Sequence, residues 1–493
     1  MKYIKNYFRW KIILLALILS VGFVVRLYKI DNPIADWHSW RQADTAAVSR
    51  EFYQKGFKPF LPKYDDMSGV SSLPIPNPER FRFVEFPIYN SVVYFAYLLN
   101  GGIDERLARL INIIISLGSV VFIYFISKSY LDTITALLAA FIFALLPFNI
   151  YYSRVILPEP FLVFFSLGMF YYLALWIDQN KRKLFFLSLF FTICAFLIKP
   201  YAVFYLLPLI YNYYQKEKKW WPIPSRFLLF IFLAFSPFLI WRLWILNHPE
   251  GIPASGWLLN GNGIRFKPIF WQWILSDRLG REILGLTGSV LFFIGLLKRS
   301  LPEQTLTLHL LALSSILYLI VFATGNVQHD YYQVLIVPIL AIFTARGFVE
   351  LIKGVPGFIS RIWTIPLALL FFIMMFYSGW KEIKGLYQIN NPVIVEAGKK
   401  ADEILPEDAI VAAPYNGDTS FLYQINRAGW PVVPLPLANL TDIYNVRFYV
   451  STSQDNKTNW VKRHFEVIEE TPQFVIADLT KQKVKFSQED PEP

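Results

Sequence analysis

Four residues that could carry chemistry lie close together in the segment that follows the first apolar run. Asp36, His38, Arg41 and Asp44 fall within nine residues of chain. A carboxylate can remove the proton from an incoming hydroxyl group, and an arginine can stabilise charge on a departing phosphate. Residues 39–54 are predicted to be helical, so Arg41 and Asp44 share a face, whereas Asp36 lies on the preceding loop and can reach into a cleft. The alternative is an interfacial helix whose charges are solvated or paired locally.

A second set of polar residues lies at the ends of apolar runs farther along the chain. Arg154 and Glu159 lie in the short loop YYSRVILPEPF, and Lys199 stands where two apolar runs meet in FLIKPYAVFY. A lysine in that position could bind a phosphate as a point charge. The alternatives are a helix-capping role for Glu159 and a Lys199 side chain that snorkels to water.

A third set comes from the segment TGNVQHDYYQ, which contains His329, Asp330, Tyr331 and Tyr332. The longer loop of residues 247–282 contains further aromatic and basic residues, namely Trp257, Arg265, Lys267, Trp271, Trp273 and Arg278. The aromatic residues of that loop could also be only the belt at the membrane–water interface. Taken together, the three sets combine carboxylates, arginines and a lysine. That combination suits a substrate with a lipid tail, an anionic phosphate head and a transferable sugar.

The composition indicates which elements must position these residues. Of the 493 residues, 55% are hydrophobic and only 17% are charged, whereas a soluble chain has about 25% charged residues. Apolar runs long enough to cross a bilayer recur as far as residue 380. We predict eleven spans, near residues 11–28, 107–128, 133–151, 160–177, 184–198, 201–215, 226–246, 283–297, 304–323, 332–352 and 362–380.

Basic residues orient the predicted spans. Four of them precede the first span: Lys2, Lys5, Arg9 and Lys11. Every second short loop is also basic, including residues 181–183 and 298–299. Because cytoplasmic loops are enriched in Lys and Arg, we expect a cytoplasmic N-terminus and an extracytoplasmic C-terminal region, in a protein of the plasma (inner) membrane. The net charge of +11 is therefore interpreted as loop charge, and no nucleic-acid partner is expected.

Residues 86–101, FPIYNSVVYFAYLLNG, are apolar but too short for an ordinary span. If these residues were counted as a span, the later basic loops would lie on the extracytoplasmic side of the membrane, contrary to the usual distribution of Lys and Arg. We therefore predict an interfacial or re-entrant helix within the first outer loop, residues 29–106.

The composition changes after about residue 380, and residues 381–493 have no spanning run. IVEAGKKADEIL is typical of an amphipathic helix, and DTSFLYQINRAG predicts a helix that ends at Gly429. DAIVAAP, RFYVS, HFEVIEE and QFVIADL predict strands. The expected fold is therefore mainly α: a polytopic membrane helical bundle (residues 1–380) followed by a small extracytoplasmic α/β domain (381–493).

The sequence motifs favour an enzyme that uses a lipid-linked donor. We find no Gly-rich nucleotide loop, Walker motif, Ser-His-Asp pattern or HExxH motif. A transporter or flippase of lipid-linked sugars is the alternative, but transporters usually place ionisable residues and broken helices near the middle of the membrane. The predicted spans are nearly free of charge, and the chain has no internal repeat.

In its order of segments, the chain resembles the polytopic C-type glycosyltransferases of family 39 and its relatives, which include protein O-mannosyltransferases and aminoarabinose transferases. The resemblance covers roughly residues 10–380. It rests on the successive segments EFPIYNSVVYFAYLLNG, RLARLINIIISLG, SRVILPEPFLVFFS, LIKPYAVFYLLPL and HDYYQVLIVPILAIFTARG.

The resemblance implies an inverting transfer of sugar from a polyprenyl phosphate to a hydroxyl acceptor, which could be a glycolipid, a polymer of the cell envelope or a protein. The family typically has an Asp-Glu pair in the first loop, where this chain has Arg41 and Gln42. We therefore expect Asp36 to be the catalytic base, with Asp44 as the alternative and Glu159 as the acid of the second loop. The expected substrate-binding residues are His38, Arg41, Glu85, Arg154, Lys199, Tyr201, His329 and Tyr331.

No spacing in the sequence demands a metal ion. Asp36, Asp44, Glu159 and His329 could together bind a divalent cation, but we predict that no cofactor is obligatory.

Overall fold

The computed structural model describes residues 2–219, 222–298, 306–354, 360–484 and 492–493, with side chains from Trp10 onward. Of the basic residues used to orient the spans, Arg299 and the side chains of Lys2, Lys5 and Arg9 lie outside the described part. The described helices are α1 (Lys2–Arg26), α2 (Ser39–Lys55), α3 (Ile88–Asn100), α4 (Glu105–Tyr130), α5 (Thr133–Leu145), α6 (Pro147–Tyr152), α7 (Glu159–Gln179), α8 (Arg182–Ile198), α9 (Leu206–Glu217), α10 (Ser225–Trp244), α11 (Trp257–Asn260), α12 (Pro268–Trp271), α13 (Thr287–Leu297), α14 (Thr307–Val321), α15 (Ala323–Gln328), α16 (Val337–Lys353), α17 (Arg361–Ile383), α18 (Pro392–Ile404), α19 (Ser420–Ile425), α20 (Leu437–Tyr444) and α21 (Asn456–His464).

The chain forms two compact units. The first, called unit 1, contains residues 1–30, 106–244 and 255–386, and the second, unit 2, contains residues 31–105, 245–254 and 387–493. Residues 31–105 therefore group with the C-terminal residues, although the sequence analysis assigned them to the membrane module.

Unit 1 supplies the apolar helices. Among the described residues, five helices are long and apolar enough to cross a membrane, and α4, α7, α10 and α17 lie within four of them. The fifth runs from Asp330 to Lys353, and a sixth arises if Pro268–Ile283 and α13, bent by 111°, count as one broken span. The predicted count of eleven spans is not confirmed. Several of the predicted runs are short or interrupted helices, such as residues 133–151, where Pro147 starts the separate helix α6.

Close backbone contact joins α13 to α16. A Cβ atom added to Gly347 would lie 1.7 Å from the carbonyl oxygen of Leu291, and one added to Gly295 would lie 1.9 Å from that of Phe343. Only glycine permits such an approach, which is a common mode of packing between membrane helices.

A buried arginine joins the ends of three helices in unit 1. The guanidinium of Arg26 donates to Ser153 Oγ at 2.6 Å, to the Gly22 carbonyl at 2.7 Å and to the Ala144 carbonyl at 2.6 Å. The positive charge therefore lies at the C-terminal ends of α1 and α5, where the helix dipole favours a cation. Sequence reasoning did not identify this contact.

Unit 2 contains a five-stranded sheet with helices on both faces. The strands are β1 (Ile410–Ala412), β2 (Ala428–Trp430), β3 (Phe448–Ser451), β4 (Phe465–Glu470) and β5 (Val475–Gln482). Their order is β2-β1-β3-β5-β4; β2, β1 and β3 are parallel, and β5 is antiparallel to both its neighbours. Residues of α18 and α19 build one apolar core, and residues of α20 and α21 build the other. The expected α/β fold of this segment is therefore observed.

One predicted helix boundary is wrong. The helix expected to end at Gly429 is α19, which ends at Ile425 because Asn426 takes the left-handed conformation with φ of 56°. Gly429 instead lies in β2, so close to β1 that an added Cβ would be 2.0 Å from the Val411 carbonyl oxygen. The close approach of two strands, which the sequence does not reveal, explains this glycine.

The two helices predicted in the first loop are both present in unit 2. Residues 39–54 lie in α2, and the short segment 86–101 contains α3. Asn90 of α3 donates to the Thr45 carbonyl at 2.6 Å and to Ser49 Oγ at 3.0 Å, which fixes α3 against α2. The exposed apolar side chains of α3, including Phe95, Leu98 and Leu99, agree with an interfacial location, which stays a prediction.

The contact between α13 and α16 predicts a large cost for a side chain at Gly347. Gly347→Val should lower the thermal midpoint of the detergent-purified protein by roughly 4 °C or more, because overpacking costs about 2 kcal/mol or more. Gly102→Val is the control, since a Cβ at Gly102 meets no atom within 4 Å. Equal midpoints for the two variants, measured by thermal unfolding, would contradict the packing described above.

Candidate functional site

Glu159 and Lys199 form a buried ion pair in unit 1. Glu159 is the first residue of α7, and Lys199 follows α8 directly. Glu159 is 3% exposed and Lys199 is 7% exposed, and Lys199 Nζ donates to Glu159 Oε1. Glu159 makes no side-chain cap on α7, and Lys199 does not extend to water. The buried ion pair argues against a Lys199 side chain that snorkels to water, whereas Glu159 does lie in the first turn of α7, where the helix dipole favours a negative charge.

A backbone break places the lysine. Pro200 restricts the preceding residue to extended conformations, and Lys199 has φ of −152° and ψ of 134°. Residues 200–205 then form a 3₁₀ turn. The side chain consequently leaves the end of α8 instead of continuing its periodicity.

Three tyrosine rings surround the ammonium group. Lys199 Nζ lies 5.7 Å from the ring centre of Tyr201, 5.8 Å from that of Tyr331 and 5.4 Å from that of Tyr332. These distances are within the range of cation–π attraction. We call these three rings the tyrosine wall. Tyr318 supports it, because the Tyr318 hydroxyl donates a hydrogen bond to the Tyr332 carbonyl at 3.1 Å. Tyr332 was not among the predicted site residues, although its position beside Tyr331 in HDYY was a usable signal.

The second oxygen of Glu159 is unsatisfied. Among the described residues, Glu159 Oε2 is buried and has no hydrogen-bond partner. A buried carboxylate oxygen normally has at least one partner. The pair therefore presents an acceptor oxygen beside a cation, which is what a sugar hydroxyl and an anionic phosphate require.

Residues of the HDYY segment extend this group. The ring of His329 stacks on Tyr331 with centres 5.4 Å apart, and Trp257 meets it edge-on at 5.8 Å. Asp330 Oδ2 lies 3.8 Å from Arg278 NH1. Arg278 also binds both carboxylate oxygens of Glu282, at 2.8 and 2.9 Å, so the charge of Asp330 belongs to a local ionic group.

Arg154 supports the backbone of unit 1. Its side chain is fully buried, and it donates through NH1 to the Lys29 carbonyl at 2.7 Å. Its guanidinium lies 5.6 Å from the ring centre of Tyr151. These contacts anchor the residues that follow α1, and they were not expected from the sequence.

In unit 2, Arg41 and Asp44 have partners distant in sequence. Arg41 NH2 lies 2.8 Å from each carboxylate oxygen of Glu85. Asp44 Oδ2 lies 2.6 Å from Arg82 NH2, and Asp44 Oδ1 accepts a hydrogen bond from Thr419 Oγ1 at 2.6 Å. The two side chains share a face of α2 as expected, but each has its own oppositely charged or polar partner.

Further ion pairs hold the C-terminal half of α2. Arg50 lies 2.5 Å from Asp65, and Glu51 pairs with Arg80. Most of α2 is buried, yet its buried residues include Arg41, Asp44, Arg50 and Glu51. The acidic and basic residues of the segments YDD (64–66) and ERFR (79–82) were the available signal, but nothing in the sequence assigned them to α2.

Asp36 does not occupy the open loop position that we expected. Its side chain is 0% exposed, and its Oδ1 accepts a hydrogen bond from Gln42 Nε2 at 2.6 Å. His38 takes a left-handed conformation, with φ of 56°, and its carbonyl accepts from the Arg41 and Gln42 amides. This turn starts α2 and brings Gln42 back onto Asp36.

Burial raises the pKa of Asp44. Loss of water raises its pKa from 3.8 to about 6, while the neighbouring Arg82 and the Thr419 hydroxyl act in the opposite direction. Burial also raises the pKa of Asp65 and of Asp66. The carboxylates against α2 therefore carry a real desolvation cost, which their arginine partners offset in part.

No cluster of three or more His, Cys, Asp or Glu side chains close enough to bind an ion occurs in the described ranges. No step of the chemistry is therefore assigned to a metal, and the prediction that none is obligatory stays a prediction.

Residues 87–241 match the family described as dolichyl-phosphate-mannose-protein mannosyltransferase. A comparison with curated proteins finds no match. Among solved structures, ArnT from Cupriavidus metallidurans bound to undecaprenyl phosphate is similar over 94% of this chain and 97% of that chain, with a TM-score of 0.66 and 13% identity.

Two further structures share the fold. The oligosaccharyltransferase AglB from Archaeoglobus fulgidus, in complex with an inhibitory peptide and a dolichol-phosphate, matches over 97% of this chain and 74% of that chain (TM-score 0.54, 12% identity). The arabinofuranosyltransferase AftD from Mycobacteria matches over 96% of this chain and 40% of that chain (TM-score 0.56, 13% identity). A crystal structure of the A. fulgidus oligosaccharyltransferase in complex with Zn and sulfate also matches, over 92% of this chain and 72% of that chain (TM-score 0.53, 11% identity).

The candidate spans and these matches together indicate an integral membrane protein. The resemblance that the sequence showed is thereby confirmed: this chain has the fold of the C-type glycosyltransferases, and its residues 87–241 match the mannosyltransferase family named above.

Proposed function

We propose that this protein is a membrane glycosyltransferase that moves a sugar from a polyprenyl-phosphate donor to a hydroxyl acceptor on the extracytoplasmic face. The observation that carries the proposal is the buried Lys199 ammonium, which three tyrosine rings surround and which lies beside a Glu159 oxygen that has no hydrogen-bond partner in the described part of the chain. The ArnT and AglB structures with bound undecaprenyl phosphate and dolichol-phosphate support it.

In the proposed reaction, the acceptor oxygen forms a bond to the anomeric carbon as the bond from that carbon to the phosphate oxygen breaks. The polyprenyl phosphate leaves with the bonding electron pair, and the acceptor proton passes to a carboxylate base. Attack from the face opposite the phosphate inverts the anomeric centre. Negative charge grows on the leaving phosphate, so a fixed cation there stabilises the transition state most.

Lys199 is the proposed cation. In a site shielded from water its attraction to a phosphate is stronger than at an exposed surface. Glu159 neutralises the ammonium before the donor binds, and we propose that its second oxygen accepts a hydrogen bond from a sugar hydroxyl. Tyr201 and Tyr331 belong to the tyrosine wall, His329 stacks on Tyr331, and all three are proposed donor contacts.

Asp36 is the proposed base. Asp44 has both carboxylate oxygens engaged, one by Arg82 and the other by Thr419, which favours a structural role. Asp36 accepts a hydrogen bond from the side-chain amide of Gln42, which holds its carboxylate in a fixed position beside the start of α2. His38, Arg41, Glu85 and Arg154 remain proposed substrate-binding residues, and a glycolipid, an envelope polymer and a protein all remain candidate acceptors.

No contact in the described residues favours the alternative of a transporter or flippase for lipid-linked sugars.

Lys199→Gln should lower the rate of undecaprenyl-phosphate release from undecaprenyl-phosphate sugars by about 100- to 1,000-fold, the usual cost of losing one charge-stabilising group. Lys183→Gln, at an exposed lysine of unit 1, is the matched control and should stay fully active. The double variant Lys199→Gln/Glu159→Gln keeps the site neutral and separates lost charge from misfolding. Full activity in Lys199→Gln would exclude the proposed phosphate contact.

Asp36→Asn should reduce transfer about 100- to 10,000-fold, the range for removal of a general base, while the protein still binds undecaprenyl phosphate. Asp44→Asn should retain most of its turnover, because its partners are structural. Turnover and lipid binding are measured on the same preparations. If Asp44→Asn loses activity and Asp36→Asn keeps it, Asp44 is the base instead of Asp36. If both variants keep their activity, neither residue is the base.

The raised pKa of Asp44 predicts a specific pH dependence of stability. A carboxyl whose folded pKa is about 6 favours the folded state when protonated, so its contribution is complete below about pH 3.8 and is lost as pH rises through about 6. Between pH 7 and pH 5 the free energy of unfolding should therefore rise by about 1 kcal/mol more in the wild type than in Asp44→Asn.

Thermal midpoints of the detergent-purified proteins at the two pH values measure this difference. Glu403→Gln, at an exposed position of α18, should behave like the wild type. The same pH slope in wild type and Asp44→Asn would show that Asp44 does not titrate in this interval.

A further inference from the structure

A crevice lies at the end of unit 1 opposite to Glu159. Its walls are the last turns of α4, α7 and α9, and its volume is about 410 Å³, within the usual range of about 300–1,000 Å³ for ligand pockets. Asp178, at its rim, is 19 residues along α7 from Glu159, so the two are separated by about 28 Å of helix. That length is close to the thickness of a bilayer core, about 30 Å.

The inner wall of the crevice is apolar. Ile126 of α4 and Phe170, Tyr171, Ala174 and Leu175 of α7 contribute to it. Helices α4 and α7 are both long and apolar enough to span a membrane. This wall, near their C-terminal ends, is therefore expected at the depth of the acyl-chain segments closest to the lipid headgroup. An apolar wall of this kind fits a hydrocarbon chain and offers nothing to a soluble, polar ligand.

The rim of the crevice carries one charge of each sign. Lys216 Nζ of α9 lies 3.5 Å from Asp178 Oδ1 of α7, and both side chains are solvent-exposed. Polar groups that can donate or accept hydrogen bonds stand beside them, namely Ser129, Tyr130, Asn212 and Gln215. Asn212 is held in place, because its Oδ1 accepts from Thr307 Oγ1 at 2.7 Å.

The helix ends add to this pattern of charge. Three helices, α4, α7 and α9, end at the crevice, at Tyr130, Gln179 and Glu217. The C-terminal end of a helix carries a partial negative charge and favours a nearby cation. A small ammonium group at the rim would therefore meet Asp178 and these carbonyl ends, while a phosphate would meet Lys216.

We propose that this crevice binds a phospholipid with a primary-amine, zwitterionic headgroup, of the phosphatidylethanolamine type. Its phosphate lies at Lys216, its ammonium donates hydrogen bonds to Asp178, and one acyl chain follows the partly exposed side chains of Tyr171, Ala174 and Leu175. Phosphatidylcholine has no N–H group to donate, and phosphatidylglycerol brings an anion to Asp178 without a cation. The site is in the leaflet opposite to Glu159 and does not depend on the proposed transferase activity.

Native mass spectrometry of the full-length protein in detergent tests this, with phosphatidylethanolamine, phosphatidylglycerol and phosphatidylcholine of identical acyl chains as probes. We expect the wild type to retain phosphatidylethanolamine roughly two- to fivefold better than either competitor, the modest preference that exposed charges give. Asp178→Asn should remove the preference, and Ala174→Phe, which fills the apolar wall, should remove one bound lipid. Glu403→Gln in unit 2 is the control and should bind as the wild type does.

Phosphatidylglycerol bound as well as, or better than, phosphatidylethanolamine would overturn the proposal. It would indicate only the general attraction of nearby exposed lysines, such as Lys181 and Lys183, for anionic lipids. An unchanged preference in Asp178→Asn would overturn it too. Should Ala174→Phe fail to fold, Asp178→Asn still decides the question, because Asp178 is 71% exposed and its replacement disturbs no packed side chain.

Discussion

A charged side chain that is removed from water needs an oppositely charged or polar partner close to it. This constraint explains the contacts around Lys199 in unit 1 and the ion pairs of α2 in unit 2. In unit 1 the Lys199 ammonium is compensated by Glu159 and by three tyrosine faces. In unit 2 the buried face of α2 is held by Arg41 with Glu85 and by Asp44 with Arg82. Burial makes the removal of one partner costly, because the other charge is then left alone in a medium of low polarity. Under the proposed function, the Lys199 ammonium is held in place for an anionic donor before that donor binds.

Breaks in the helices determine where these charges point. Pro200 ends the run that contains Lys199, the left-handed His38 begins α2, and a 3₁₀ turn after His329 presents two adjacent tyrosines. Side chains at such positions leave the regular periodicity of a helix and can converge from separate elements. The long regular helices α4 and α7 then supply the rigid frame. Under the proposed function, the chemistry takes place where the regular helices are interrupted.

Much of the local structure could be predicted because it depends on neighbouring residues. The amphipathic pattern of α18, the apolar strands β1, β3 and β5, and the helix α2 all carry their signal within a few residues. The left-handed Asn426 and the short strand β2 were missed, because β2 is fixed by pairing with β1 across a gap in sequence. In the same way, the sequence suggested an open position for Asp36, while the return of Gln42 from α2 buries it.

The sequence by itself determined that this is a mainly helical membrane protein with a small α/β part, since composition and periodicity act over short stretches of chain. It also indicated Glu159 and Lys199, through their positions at the ends of apolar runs and through the resemblance to C-type glycosyltransferases. Only the tertiary structure decided the partners: Lys199 with Glu159, Arg41 with Glu85, and Asp44 with Arg82. Each of these pairs joins residues 38 or more positions apart, and a favourable Coulomb interaction depends on distance in space, which no local pattern encodes.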